Sequence, residues 1–223
     1  MLEEAIARDP QFGPALAFAA YCYMHLVSAD APDRASSRQK GIEVAHRALE
    51  VARNDPGVLA DAAYALACFG EDLDAMIVLV DRALSFNPSY ARGWHISGFL
   101  RLWGGQTDLA IEHAGRALRL SPRTQAGMTS WLMGAALFFS RRFEEAVPRL
   151  RVAMEDMPGF PTSYRFLAAC YAQMGLLDEA RATIGRLRAL TSVVVPQYPL
   201  PFRNTGHREL YLSGLRLASG EVE

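Results

Sequence analysis

One phrase recurs in this chain at a fixed interval, and that recurrence limits the fold more than any other feature. Arg82-Ala83-Leu84-Ser85-Phe86-Asn87-Pro88 and Arg116-Ala117-Leu118-Arg119-Leu120-Ser121-Pro122 place their prolines 34 residues apart. Arg151-Val152-Ala153-Met154-Glu155-Asp156-Met157-Pro158 closes a third copy after 36 residues, so two residues are inserted, most simply within Arg123-Thr124-Gln125-Ala126. Each copy reads as the end of a helix, because proline lacks the N–H that would extend the ladder. A period of this size signals supersecondary units that cannot bury their apolar faces alone and must stack on their neighbours.

Ahead of each proline lies a second set of spaced residues. Trp94-x2-Ser97-Gly98-x2-Arg101 is followed by Ala110-x3-Ala114, Ala117 and Pro122. Ser130-x2-Met133-Gly134-x2-Leu137 is followed by Ala146-x3-Leu150, Ala153 and Pro158. Tyr164-x2-Leu167-Ala168-x2-Tyr171, then Ala180-x3-Ile184 and Leu187, is the cleanest copy. Ala60-x2-Ala63-Tyr64-x2-Ala67, then Met76-x3-Val80, Ala83 and Pro88, is the weakest. Four copies in phase resemble the tetratricopeptide repeat family, whose pattern is W-x2-L-G-x2-Y, then A-x3-F, then P. The resemblance implies an all-α fold: a right-handed superhelix of antiparallel helix hairpins, an α-solenoid. Small residues at the G and first A positions let paired backbones approach. The turns Gly104-Gly105-Gln106-Thr107-Asp108, Ser140-Arg141-Arg142-Phe143 and Met174-Gly175-Leu176-Leu177-Asp178 are short and polar. Glycine is expected there as a left-handed helix end, and Asp or Thr as the cap of the following helix.

This reading divides the chain into the second helix of a truncated repeat (1–10), a repeat with an inserted loop (11–56), and repeats at 57–90, 91–126, 127–160 and 161–190. An extended segment and a capping helix follow at 191–223. In the second division, helices are expected over about 14–27 and 38–53, with the insertion near 28–35. The opening Leu2-Glu3-Glu4-Ala5-Ile6-Ala7-Arg8 has no first helix to pair with, so the chain is expected to be a piece of a longer array. At the other end, Asn204 or Thr205 should cap a helix over about 207–218 whose apolar side is Leu210, Leu212, Leu215 and Leu217. It should cover the terminal repeat, or else dock on another chain.

Composition narrows the function classes. Net charge is −1 and the pI about 6.5, so no basic excess points to nucleic acid or an anionic membrane. Cys22, Cys68 and Cys170 are an odd count without C-x-x-C spacing, and read as small buried thiols in a reducing, cytoplasmic setting. No apolar run is long enough for a bilayer, and Met1-Leu2-Glu3-Glu4-Ala5 lacks the basic segment and apolar run of a signal peptide, so a soluble protein is expected. The paired spacings Cys22/His25 and His95/His113 lack a third ligand, so neither a metal nor another cofactor is expected. Phosphate-loop, dinucleotide and nucleophile-elbow motifs are all missing, and no catalytic residue is expected. The chain therefore reads as a binding protein, with a small-ligand or enzymatic use of its groove as the alternative.

The family resemblance implies a concave groove lined by the first helices, at the second, fifth, ninth and twelfth repeat positions. Carried onto this sequence, the candidate partner-binding residues are Asp61, Arg92, His95, Phe99, Leu102, Met128, Trp131, Phe138 and Arg165. The implied partner is a protein or peptide, with self-association possible. Lys40 is the single lysine, so the Lys/Asn clamp that holds chaperone tails in this family is absent. The closing stretch Leu200-Pro201-Phe202-Arg203-Asn204-Thr205-Gly206-His207-Arg208-Glu209-Leu210-Tyr211-Leu212-Ser213-Gly214-Leu215-Arg216-Leu217-Ala218 adds a narrower likeness. It resembles the end of the tetratricopeptide array in bacterial class III adenylate/guanylate cyclases and winged-helix regulators, although Ser219 departs from their final Ala-Gly. That likeness implies a regulatory region of a signalling protein and carries no catalytic residue.

Overall fold

Every described element is a helix, and each begins and ends where local chemistry dictates. The computed structural model describes residues 2–28, 33–124, 126–197 and 201–220. The helices are α1 (Leu2–Arg8), α2 (Gly13–Ser28), α3 (Arg34–Val51), α4 (Pro56–Cys68), α5 (Leu73–Phe86), α6 (Ala91–Gly104), α7 (Thr107–Leu120), α8 (Ala126–Phe139), α9 (Phe143–Asp156), α10 (Pro161–Gln173), α11 (Leu177–Arg188) and α12 (Thr205–Ser219). Among the described residues there is no strand. The all-α expectation holds, and the 34-residue recurrence is a recurrence of helix pairs.

The chain forms two compact units, residues 1–100 and 101–223. In the first, α2 packs on α3 and α4, α3 on α4, and α4 on α5. Leu16, Ala17, Ala48 and Val58 form a core there, and Ile6 of α1 is packed against it. In the second, α7 packs on α8, α8 on α9, α9 on α10 and α10 on α11, and α12 lies against α10, α11 and α8.

The hairpin turns repeat one geometry. Gly70, Gly105 and Gly175 have φ of +88°, +84° and +76°, and the same place in the turn between α8 and α9 is taken by Arg141 at φ +58°. After each, a backbone N–H reaches back across the helix end: Glu71 to Leu66, Gln106 to Arg101, Arg142 to Leu137 and Leu176 to Tyr171, at 2.8–3.0 Å. This is the six-to-one bond of a Schellman end. The expected caps are met only in part. Asp72 accepts from the Asp74 N–H at the start of α5, but Gln106, Arg142 and Leu176 make no side-chain cap. Asp108, Glu144, Glu145, Asp178 and Glu179 instead sit inside the first turns, where they favour the positive end of the helix dipole.

Three further expectations are corrected. Helix α3 starts at Arg34 and ends at Val51, so the insertion is shorter than expected; residues 29–32 lie outside the described residues. Of the cysteines only Cys170 is buried; Cys22 is intermediate and Cys68 exposed, because both fall off the packed faces of α2 and α4. In α12 the buried stripe is Leu210, Tyr211, Gly214, Leu215 and Ala218, with Leu212 and Leu217 half-buried. Helical spacing of three and four residues selects that set, whereas Leu212 stands about 200° around the helix from Leu210. Asn204 caps this helix, accepting from the His207 N–H at 3.2 Å.

Backbone approach within hairpins depends on small residues. A Cβ added at Gly134 of α8 would stand 2.7 and 2.8 Å from Leu150 Cγ and Cδ2 on α9. Gly134→Leu therefore overpacks the crossing and should cost about 1–3 kcal/mol, lowering Tm by roughly 2–10 °C. Arg141→Gly removes the left-handed penalty of a side-chain-bearing residue and should stabilise the protein by about 1 kcal/mol. Thermal melts followed by circular dichroism check both signs; an unchanged Tm for Gly134→Leu would mean that the α8–α9 crossing is misplaced.

Candidate functional site

The first helices of the hairpins carry the candidate residues, and the two units treat them differently. In unit 1 the face is formed by α2, α4 and the start of α6. Arg92 Nε donates to Asp61 Oδ1 at 2.6 Å, joining α6 to α4. The Arg92 guanidinium also lies over the Tyr21 ring of α2, 5.1 Å from its centroid. Tyr21 meets His25 edge-on at 4.6 Å and stacks on Phe18 at 6.3 Å. Phe18 is 56% exposed. One charge pair thus stands beside an aromatic ladder open to solvent, with Phe18, Tyr21 and His25 at helical spacing.

Burial sets the electrostatics of this face. It pushes the Asp61 carboxyl up, outweighing the pull of the adjacent Arg92. It also raises the Tyr90 hydroxyl to about 12, with Asp61 adding to the effect. His95 is pressed down to about 4 by burial and by the nearby Arg92 charge. Its ring packs on Phe99 at 5.0 Å, and Phe99 meets Tyr64 at 5.9 Å. Candidates Asp61 and Arg92 are therefore partly exposed, whereas His95 and Phe99 are buried.

In unit 2 the corresponding face is covered by the chain's own C-terminal segment. Arg165 of α10, 6% exposed, donates Nε to the Val194 carbonyl at 3.0 Å and Nη2 to the Val193 carbonyl at 2.6 Å. Further on, Phe202 packs on Phe139 at 4.7 Å, and the Arg203 N–H donates to the Trp103 carbonyl at 2.8 Å. His207 lies flat on Phe139 at 4.5 Å. Tyr211 stacks on Phe166 at 4.5 Å and meets Phe138 at 6.4 Å. At Gly214 a Cβ would stand 3.0 Å from Ala169 Cβ and 3.3 Å from its Cα and carbonyl oxygen. Candidates Phe138 and Leu102 are fully buried, Trp131 is buried against Phe160 and Phe166, and Met128 is half-buried.

Sequence reasoning missed Tyr21, Phe18, Phe139, Phe166 and Tyr211. The first two sit in the hairpin with the inserted loop, where the repeat register is hardest to carry. Their signal was the aromatic spacing 18, 21, 25 along one helix. Among the described residues no group of three or more His, Cys, Asp or Glu could hold a metal ion, and no helix is long and apolar enough to cross a membrane.

Comparison with known proteins agrees with the repeat reading. Residues 137–192 match the family model of the tetratricopeptide repeat. None of the curated proteins matches. Among solved structures, MamA from Desulfovibrio magneticus RS-1 is 18% identical over 77% of this chain and 94% of its own, with a TM-score of 0.59. A structure described as YrrB, a TPR protein with an unusual peptide-binding site, is 20% identical over 79% of this chain and 91% of its own, with a TM-score of 0.56. A further MamA structure covers 81% of this chain and 98% of its own at 16% identity and a TM-score of 0.57. The chain therefore shares the tetratricopeptide repeat fold.

His95 gives the face of unit 1 a pH signature. Its folded value, near 4, lies below the unfolded 6.5, so between those values the unfolded chain binds a proton that the folded one refuses. That contribution to stability is complete above pH 6.5 and is lost as pH falls toward 4, amounting to about 3 kcal/mol. Denaturant midpoints measured from pH 7 to pH 4.5 should fall more steeply for the wild type than for His95→Gln. Equal slopes would show that the imidazole is protonated in the folded state.

Proposed function

We propose that this protein is a protein–protein interaction scaffold that recognises a peptide segment on the first-helix face of unit 1. The observation that carries the reading is the partly exposed Arg92–Asp61 pair set beside the Tyr21–Phe18–His25 ladder. An exposed aromatic next to a guanidinium suits an anchor residue flanked by a polar or acidic group. The similarity in fold to a TPR protein with a peptide-binding site supports the same class of partner. His95 and Phe99 act from beneath, holding the floor of this face, and Met128, Trp131, Leu102, Phe138 and Arg165 belong to the corresponding face of unit 2.

The closing phrase, Leu200 to Ala218, supports a narrower context: a regulatory C-terminal region of a bacterial signalling protein, a cyclase or a transcription regulator, working in the cytoplasm. Self-association through the same face is compatible with this role. Small-ligand chemistry is the weaker reading, because Arg92 and Asp61, the charges of this face, are already paired with each other.

Peptides selected from a random display library against the full chain test the reading. Binding of the selected peptides should fall about tenfold or more in Phe18→Ser, with Tm unchanged within about 2 °C, and equally in Arg92→Ala, where the loss of Asp61's partner also lowers Tm, since a tenfold loss is about 1.4 kcal/mol. Peptides that bind wild type and both variants equally would sink the assignment of this face.

A further inference from the structure

The C-terminal segment of unit 2 does more than cover an end. A cap needs only to shield the last hairpin, α10–α11. Here the segment runs from α10, where Arg165 holds the Val193 and Val194 carbonyls, across α8, where Phe139 receives Phe202 and His207, to the end of α6 at the Trp103 carbonyl. It then returns as α12 over Ala169 and Phe166. It touches the inward positions of successive first helices, which are the positions a peptide partner would use.

The contacts are of the kind made to a ligand. Arg165 satisfies main-chain carbonyls, so it reads backbone rather than a particular side chain. Phe202 and Tyr211 enter an aromatic nest built by Phe138, Phe139 and Phe166. Gly214 allows backbone-level approach to α10. The segment follows α11 through a stretch, 191 to 197, that holds no helix, and α12 then lies against α10, α11 and α8.

We infer that the first-helix face of unit 2 is a second peptide-binding site, occupied by residues 193–197 and 201–219 as a resident competitor. The partner it fits presents a non-helical apolar stretch with two adjacent main-chain carbonyls free to accept. A phenylalanine follows eight residues later, and then a helix with an aromatic and a small residue three apart, as Val194, Phe202, Tyr211 and Gly214 do here. Such a segment displaces the resident one, and binding is weakened by the fraction of time the face is covered. The inference rests on the scaffold reading but uses a different face, so the two fail separately.

The probe is a labelled synthetic peptide of residues 191–220, added to the full chain and followed by fluorescence anisotropy. Wild type should bind it weakly. Gly214→Leu and, independently, Tyr211→Ala loosen the resident helix without touching the face, and should bind the probe about 30-fold more tightly. Adding Arg165→Ala to either should lose about tenfold of that gain, through the missing charge-assisted bonds. If both opened variants keep their helix content and bind no better than wild type, the segment is a fixed part of the fold and the inference falls. Loss of helical structure in both variants would overturn it as well, by making the segment integral to the core. Neither result would touch the peptides that depend on Phe18 and Arg92.

Discussion

The six-to-one hydrogen bond at each hairpin turn is the constraint from which the rest follows. It reverses the chain within a few residues, so that two helices of nearly equal length lie side by side. Once the reversal is fixed, the apolar stripes of both helices face one another and the small residues between them set how closely they lie. Gly134 against Leu150 shows how tight this is, since even one added carbon would intrude. The bond also explains why the turn between α8 and α9 tolerates Arg141 in a left-handed conformation. Three of the four turns give that position to glycine, and the geometry is retained where the sequence is not ideal. The energy of the surrounding hairpin, with Ala146, Leu150 and Ala153 fully buried, offsets a local penalty of about 1–2 kcal/mol.

The two first-helix faces are made from the same repeat positions yet differ in what they offer. In unit 1 the charges pair with each other and leave an aromatic rung in water. In unit 2 the buried Arg165 faces main-chain carbonyls, which cannot neutralise its charge but satisfy its donors. A buried guanidinium without such partners would be costly, so the covering segment and Arg165 require one another in the state described here. The contrast separates a face ready for a partner from one that must first exchange its occupant.

Much of this was legible in the residues. The recurrence of proline after 34 residues located the ends of α5 and α7. Glycine at 105 and 175 announced two of the left-handed ends. Caps were less legible, because Thr107 and Asp178 look like cap residues but lie inside their helices, where the charges of Asp108 and Asp178 act on the dipole and no side-chain cap bond forms. The start of α3 was hidden by serines, which compete for backbone hydrogen bonds in isolation and yield to packing here. Least legible was the fate of Phe138 and Arg165. Repeat register gives the face on which a side chain lies, but the segment that reaches it comes from 28 to 73 residues further along the chain. No local pattern encodes such a contact.

The aromatic residues that open α6 and α10 do more than pack. Trp94 Nε1 donates to the Pro88 carbonyl at 2.8 Å, and the Tyr164 hydroxyl to the Pro158 carbonyl at 2.9 Å. In each case a side chain at the head of one hairpin holds the linker that leaves the previous one. The elbow between consecutive hairpins is therefore bolted by its own heteroatom, and the pitch between them is set chemically as well as sterically. Loosening one hairpin strips a donor from the joint of the next, so unravelling within each unit should propagate hairpin by hairpin instead of stopping at a boundary.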